Sequence, residues 1–259
     1  MMGLSSRSAA VALLGLGSLV LAGEAQGQER TSYPEYPSFS PGATASADRH
    51  RFSLVVLDRF EVAPVESGVP ASLDGFWRFG SDYTRIWLRA EGEARLADGT
   101  AGGETQALLG RLISPYFDFV GGLRLDMEFE EGEVRVRPLI MLGLEGLAPF
   151  WFEVEPALFL SNQGALSLRL QASYDLLVTQ RFVAQPEAEV DLAVQRVEEW
   201  NVNRGLNRIE AGLRVRYEIV REFAPYVGVN WSSHPGERAG PSGESTGAVT
   251  LVVGFRVWR

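Results

Sequence analysis

The segment 139–161, with the sequence LIMLGLEGLAPFWFEVEPALFLS, restricts the fold more than any other part of the chain. Its length and hydropathy would suit a membrane-spanning helix. Three glutamates would then lie in lipid, however, and Pro149 and Pro156 would interrupt the helix. We therefore reject a membrane helix for this segment.

Two β-strands joined by a tight turn at 147–150 account for the same residues. Side chains of a strand alternate between two faces. Here one face carries all three glutamates, and the other face is wholly apolar. Strands with an apolar outer face and a charged inner face are typical of a membrane β-barrel, and the aromatic residues at 150–152 suit its lipid interface. The predicted inward residues are Met141, Gly143, Glu145, Glu153, Glu155, Ala157 and Phe159.

The chain from 51 to 259 repeats this alternation in segments of about ten residues. It predicts an all-β fold, a single transmembrane antiparallel β-barrel of about 12 strands, with short periplasmic turns, longer external loops and both termini periplasmic. Long connections are predicted at 62–73, 95–103, 128–134, 195–205 and 233–245, and a short strand at Gly75–Gly80.

A soluble β-sandwich would also show this alternation of apolar and polar residues. The large apolar residues on every outward face and the alternation of long and short connections favour the barrel.

The segment 105–114 has an ambiguous phase, because Gln106 and Arg111 fall on opposite faces. This predicts a β-bulge between the two residues.

The composition excludes several classes of protein. The 259-residue chain has no cysteine, so it can form neither a disulfide nor a thiolate metal site. Its formal net charge of −9 argues against a nucleic-acid partner, which would need a clustered basic face. All 24 basic residues are arginine, whose planar fork can hold carboxylates by two hydrogen bonds. Such residues suit a lumen filled with ion pairs.

The N-terminal region predicts export. Arg7 precedes an apolar run and then small residues, which indicates a signal peptide over 1–25, with cleavage after Ala25 or alternatively after Gly27. Residues 26–50 are rich in Pro, Ser and Gly and predict a disordered periplasmic tail. We assign 51–259 to the barrel and the protein to the bacterial outer membrane, where its surroundings are lipid.

Charged side chains predicted to face the interior recur on most strands. We expect them to form ion-pair networks, which would either plug a narrow barrel or line a polar path. The pattern fits both outcomes. The predicted network residues are Arg85, Glu91, Arg124, Asp126, Arg169, Asp175, Arg214, Arg216 and Glu218.

Several long runs in this chain resemble the copper resistance protein B family, roughly over residues 50 to 259. The runs are DYTRIWLRAEGE (82–93), SPYFD (114–118), LEGLAPFWFEVEPALFLS (144–161), YDLLVTQR (174–181) and LRVRYEIVREFAPYVGVNW (213–231). The resemblance implies an outer-membrane barrel that binds copper and sequesters it or passes it across the outer membrane. It also implies a periplasmic multicopper oxidase as a partner. The alternative is a small porin or structural barrel without metal specificity.

Candidate copper ligands are few in this chain. Many members of the family carry a Met- and His-rich segment ahead of the barrel, whereas residues 26–50 contain no Met and only His50. A thioether beside carboxylates would form a weak copper site. The alternative is that the methionine fills space and the carboxylates pair with arginine. The candidate ligands are Met141, Glu145, Glu153, Glu155 and His234.

An enzyme is not expected. An outer-membrane phospholipase would need a Ser–His pair near the external rim. His234 is the only histidine predicted near that rim, and no matching serine motif accompanies it.

Overall fold

The computed structural model describes residues 51–63, 70–95, 99–130, 132–235 and 247–259. The signal peptide predicted over 1–25 and the tail predicted over 26–50 lie outside these residues. The described residues contain no helix with the length and hydropathy needed to cross a membrane. Two single-turn 3₁₀ helices are present in them, at Pro149–Trp151 and Glu198–Trp200.

Thirteen strands form one antiparallel sheet in the described residues. Alternating residues of each strand face the exterior and the lumen, which is the alternation that the sequence predicted. The strands are β1 (Phe52–Val62), β2 (Pro70–Gly80), β3 (Thr84–Arg95), β4 (Thr100–Ser114), β5 (Phe117–Glu130), β6 (Glu133–Ala148), β7 (Phe152–Ser161), β8 (Leu166–Ser173), β9 (Leu176–Leu177), β10 (Phe182–Ala193), β11 (Gly205–Tyr217), β12 (Phe223–Ser233) and β13 (Ala248–Trp258).

The sheet closes on itself. The first strand, β1, pairs with the last, β13, from Val56↔Trp258 to Val62↔Val253. The two-residue strand β9 follows β8 and pairs with the same neighbour, β10. We therefore count β8 and β9 as one strand of the barrel, which has twelve strands in all. Closure leaves no unpaired sheet edge, which a strand in lipid requires. The predicted fold class is confirmed.

The two faces of the wall differ sharply in exposure. On β3, Trp87 is 2% exposed, whereas its neighbours Ile86 and Leu88 are each 41% exposed. On β6, Met141 is 4% exposed and the adjacent Leu142 is 49% exposed. The exposed side chains are apolar and suit contact with lipid, while their neighbours point into the lumen.

The two ends of the barrel differ in their connections. The end that carries both chain ends of the barrel, here called the terminus end, has the connections 81–83, 115–116, 149–151, 178–181 and 218–222. The opposite end, here called the loop end, has the connections 63–69, 96–99, 131–132, 162–165, 194–204 and 234–247. Long connections at the loop end are therefore fewer than predicted.

Three predicted boundaries were wrong at the loop end. The acidic loop predicted at 128–134 is mostly strand, because Arg135 on β6 pairs with Glu128 on β5 at 2.6 Å and the ladder continues to Glu130↔Glu133. The connection predicted at 95–103 ends where β4 begins, at Thr100. Finally, β2 is longer than Gly75–Gly80 and begins at Pro70, a position that tolerates proline because it is the first residue of the strand.

The β-bulge predicted between Gln106 and Arg111 was also wrong. The register with β3 and with β5 runs unbroken through both residues, and a shift occurs later, between Leu112 and Ser114. Gln106 points inward, and Arg111 points outward near the terminus end. An arginine at that height can extend its guanidinium toward the lipid headgroups, so no bulge is needed.

One side of the lumen is apolar, which the sequence pattern did not predict. Buried side chains on β3 to β7 pack together there, and Phe76 of β2 packs against them. We call this cluster the apolar wall. Its members are Trp87, Leu108, Val120, Leu139, Met141, Ala157 and Phe159.

Candidate functional site

A cavity of about 530 Å³ lies in the lumen. Its lining includes Pro115 and Tyr116, in a turn at the terminus end, and Glu91, Glu104 and Arg169 at mid-barrel. Twelve carboxylates and six arginines line the cavity in total. Because the carboxylates are in excess, the cavity has a negative potential, and its low-dielectric walls strengthen the attraction for cations.

Arg169 on β8 is the central cation at mid-barrel. Its guanidinium lies 3.1 Å from Glu104 on β4, 3.0 Å from Asp191 and 3.5 Å from Glu189. The arginine is only 9% exposed. A buried guanidinium needs several carboxylates to replace its hydration, and β4 and β10 supply them from different sides of the lumen.

Arg89 on β3 holds a second set of carboxylates closer to the terminus end. It donates to Glu145 on β6 at 2.5 Å and to Glu155 on β7 at 2.8 Å. Arg85, four residues away on the same strand, pairs with Asp118 on β5. Strand alternation puts Arg85 and Arg89 on the same face, so one strand supplies both cations.

A third set joins the first and last parts of the chain. Arg214 on β11 pairs with Glu61 on β1 and with Glu187 on β10. Tyr226 donates its hydroxyl to Glu61 at 3.0 Å. Arg59 lies 3.2 Å from the same Glu187. These contacts bridge the seam where the barrel closes.

Arginines also cover the apolar wall. The guanidiniums of Arg78 and Arg89 lie 5.0 and 4.9 Å from the ring centre of Trp87, and that of Arg124 lies 4.6 Å from the ring centre of Phe159. Cation–π contact at these distances is favourable, more so where water is excluded. Two of these arginines, Arg89 and Arg124, also form ion pairs with carboxylates of the lumen.

One carboxylate of the cavity makes no ion pair, and two other side chains have a buried acceptor atom without a donor among the described residues. Glu153 accepts a hydrogen bond from Ser173 at 3.3 Å and makes no ion pair with the described residues. The Oδ1 atom of Asp118 and the Oε1 atom of Gln106 are buried acceptors without a donor among the described residues. Each can accept from water or contact a cation. The cavity thus has acceptor capacity beyond what its own arginines use.

The sequence of this barrel matches a known protein family. The sequence profile described as "Copper resistance protein B precursor (CopB)" matches residues 51–259, the whole of the described barrel. The chain belongs to the copper resistance protein B family. The resemblance predicted from the sequence runs is confirmed. The family is not an enzyme family. Together with the closed barrel and its apolar exterior, it supports a location in the bacterial outer membrane.

Two relatives are similar over most of the chain. Copper resistance protein B of Escherichia coli is 39% identical over 208 residues, which cover 79% of this chain and 69% of that protein. Copper resistance protein B homolog of Pseudomonas syringae pv. tomato (strain ATCC BAA-871 / DC3000) is 36% identical over 209 residues, which cover 80% of this chain and 69% of that protein.

Among solved structures, the KdgM porin is similar with a TM-score of 0.49 and 14% identity, over 80% of this chain and 98% of that one. The NanC porin has a TM-score of 0.49 and 9% identity, over 79% of this chain and 98% of that one.

Three of the five candidate copper ligands of this chain line one void in the structure, and the other two do not. Met141 belongs to the apolar wall and lines a void of about 10 Å³ together with Glu145 and Glu155. Glu153 lies nearer the terminus end. His234 follows β12 at the loop end and is exposed, so it lies at the other end of the barrel from Glu153. Within the described residues, no group of three or more His, Cys, Asp or Glu is arranged to hold a metal ion. The copper site remains a prediction.

The predicted network residues fall into pairs and a few larger sets. Arg124 lies 2.5 Å from Asp126, Asp175 pairs with Arg216, and Glu91 lies 4.0 Å from Arg169. Arg85 and Arg214 pair as described above. Glu218 follows the last residue of β11 and makes no ion pair with the described residues.

Sequence reasoning assigned neither an inward nor an outward face to four residues that take part in these sets. They are Arg59, Glu61, Asp74 and Glu104. Glu104 and Asp74 fell at the edge of, or inside, the segments interpreted as loops or as a shorter strand. Extending the period of two backward from Gln106 would have placed Glu104 inward. No comparable signal identified the partner of each residue, because the partners lie on distant strands.

Proposed function

We propose that this protein is a copper-tolerance barrel that binds copper ions in its lumen and either sequesters them or passes them on. The observation that carries the proposal is the cavity, which twelve carboxylates and only six arginines line. Membership of the copper resistance protein B family selects copper among the cations that such a cavity would attract.

The chemistry of the cavity suits divalent copper. Sites of oxygen and nitrogen ligands bind Cu²⁺ more tightly than the other divalent first-row metals. Glu153 is the most available ligand, because it makes no ion pair with the described residues. Glu145 and Glu155 share Arg89, so a metal ion would have to compete with that guanidinium for them.

We propose further that the terminus end faces the periplasm, as short turns and both termini do in outer-membrane barrels. The cavity would then extend toward the periplasm, because Pro115 and Tyr116 of the terminus end are part of its lining. A periplasmic multicopper oxidase is the partner that the family resemblance implies. Copper bound in the cavity would be accessible to such a partner from that side.

A small porin or structural barrel without metal specificity is the second candidate. The apolar exterior and polar interior serve a barrel of either kind. The two candidates differ in one measurable respect, since only the first predicts that copper tolerance depends on lumen carboxylates.

A growth experiment separates the two candidates. The barrel and its variants Glu153→Gln, Glu145→Gln and Met141→Leu are expressed in a copper-sensitive strain, and growth and cell-associated copper are measured across copper concentrations. The matched control is Glu198→Gln, whose side chain is 77% exposed in the connection 194–204. We expect the native barrel and the control to alter copper tolerance equally and Glu153→Gln to weaken the effect. Equal growth with and without the barrel would overturn the proposal.

A further inference from the structure

Two arginines on one side of the barrel reach across the lumen to the same strand, β3, on the facing side. Arg169 on β8 lies 4.0 Å from Glu91 on β3. Arg208 on β11 lies 3.8 Å from Glu93, two residues further along β3. Four strands separate β3 from β8 in one direction around the barrel, and four separate it from β11 in the other. Both contacts therefore span the interior rather than join neighbouring strands.

The Arg169 contact fills the middle of the lumen. Besides Glu91, the guanidinium contacts Glu104 on β4 and Asp191 on β10, so that one side chain links three parts of the wall. It lies 5.7 Å from the ring centre of Phe159, which projects from the apolar wall. The side chain of Arg169 is 11% exposed, so little water reaches it.

The cavity ends at this level. Its lining at mid-barrel includes Glu91, Glu104 and Arg169, but neither Arg208 nor Leu139, which lie further toward the loop end. Its lining also includes residues of a turn at the terminus end. The cavity thus extends from the terminus end to the level of Arg169.

The loop end is narrowed as well. The connection 194–204 starts after β10 but reaches β6, where Arg135 donates to the carbonyl oxygen of Glu199 at 2.8 Å. Arg135 and Arg137 each lie 5.8 Å from the ring centre of Trp200 in the same connection. This connection therefore extends from β10 across the loop end of the barrel to β6.

We propose that Arg169 and Arg208 close the lumen, so that the cavity exchanges cations with the terminus end alone. Passage of an ion across the barrel requires both cross-lumen contacts to break. The proposal rests on the proposed function only for the identity of the cargo as copper. Closure itself depends on the contacts between β8, β11 and β3.

Ion conductance in planar lipid bilayers tests closure with potassium chloride as the probe. The full chain is compared with the double variant Arg169→Met/Arg208→Met and with Arg196→Met, an arginine 54% exposed in the connection 194–204. We expect the native barrel and Arg196→Met to conduct poorly. The double variant should conduct roughly tenfold more and select cations, because it leaves facing carboxylates unpaired. A native barrel that conducts as well as the double variant would overturn the proposal.

A second variant keeps the test decisive if the first does not fold, which the heat-dependent gel mobility of the barrel reports. Glu91→Gln/Glu93→Gln removes the charges that both arginines reach on β3 and leaves no carboxylate unpaired there. We expect its conductance to exceed that of the native barrel. A folded variant as closed as the native barrel would show that these contacts do not seal the lumen.

Copper tolerance is measured separately on the same proteins. A closed native barrel without any effect on copper tolerance would remove the proposed function and leave the closure intact. An open native barrel that still alters copper tolerance would overturn the closure and leave the proposed function intact.

Discussion

Arg89 on β3 donates to Glu155 on β7 at 2.8 Å, although three strands lie between them in the wall. The same guanidinium donates to Glu145 on β6 at 2.5 Å. One arginine thus neutralises two carboxylates that strand alternation forces into the same narrow interior. Contacts of this kind tie distant strands together across the lumen.

Arg89→Met should destabilise the barrel. Removal of the cation leaves two partly buried carboxylates facing each other, which we expect to cost about 2 kcal/mol in the free energy of unfolding, since their partial exposure reduces the effect. Urea unfolding in lipid vesicles, followed by heat-dependent gel mobility, measures the change. Arg196→Met serves as the control, because its partner Glu198 is exposed. Equal midpoints for the two variants would contradict this account of Arg89.

Glu153→Gln and Glu104→Gln should separate copper binding from stability. Glu153 makes no ion pair with the described residues, so its neutralisation should lower copper binding and leave the unfolding midpoint nearly unchanged. Glu104 lies 2.5 Å from Arg124 and 3.1 Å from Arg169, so its neutralisation should lower the midpoint. Copper titration and urea unfolding of both purified variants provide the two readouts. Loss of stability in Glu153→Gln would show that this carboxylate has a structural role.

Leu142→Arg tests whether the exterior of the barrel faces lipid. Leu142 lies in the middle of β6 and is 49% exposed, so an arginine there should cost about 2–4 kcal/mol in the free energy of folding into lipid. Val134 lies near the loop end of the same strand and is 58% exposed. Val134→Arg should cost about 0–1 kcal/mol, because the guanidinium reaches the headgroups. Similar costs at the two positions would argue that Leu142 does not lie at the centre of the lipid-facing belt.

Gly122→Ala should impair the pairing of β4 and β5. A Cβ atom at Gly122 would lie 2.1 Å from the carbonyl oxygen of Ala107 and 2.9 Å from the Cα atom of Leu108. The backbones would have to separate, at a cost of about 1–3 kcal/mol. Gly102, on the same pair of strands, is the matched control. The atom nearest to a Cβ at Gly102 would be the carbonyl oxygen of Met127, at 3.8 Å. The fraction of folded protein after refolding into vesicles should fall only for Gly122→Ala.

The fold could be predicted because its signal is local. The period of two across 139–161 put Glu153 and Glu155 on one face and Leu158 on the other, and the structure has Leu158 exposed and Phe159 buried. The same alternation holds on β3, where Trp87 is buried and Leu88 is exposed. Strand ends were less accurate, because acidic residues around 128–134 resemble a loop until a cross-strand partner such as Arg135 is known.

The candidate site could be predicted only as a set of inward-facing residues. Arg169 and Glu91 were both expected to be inside the lumen, but nothing in the sequence indicated that they lie opposite each other. Ion pairs between strands that are far apart in sequence depend on barrel diameter and stagger, which single-strand patterns do not encode. The apolar wall was missed for the related reason that a period of two gives the face of a residue and not its neighbours on that face.

By itself, then, the sequence determined that this chain forms a membrane barrel of the copper resistance protein B family, because alternation and the long matching runs are properties of consecutive residues. The tertiary structure alone decided which charges meet. It places Arg169 against Glu104 and Arg89 against Glu155, gathers Met141 into the apolar wall, and leaves Glu153 without an ion pair among the described residues. Those relationships arise from closure of the sheet, which brings together side chains that no local pattern connects.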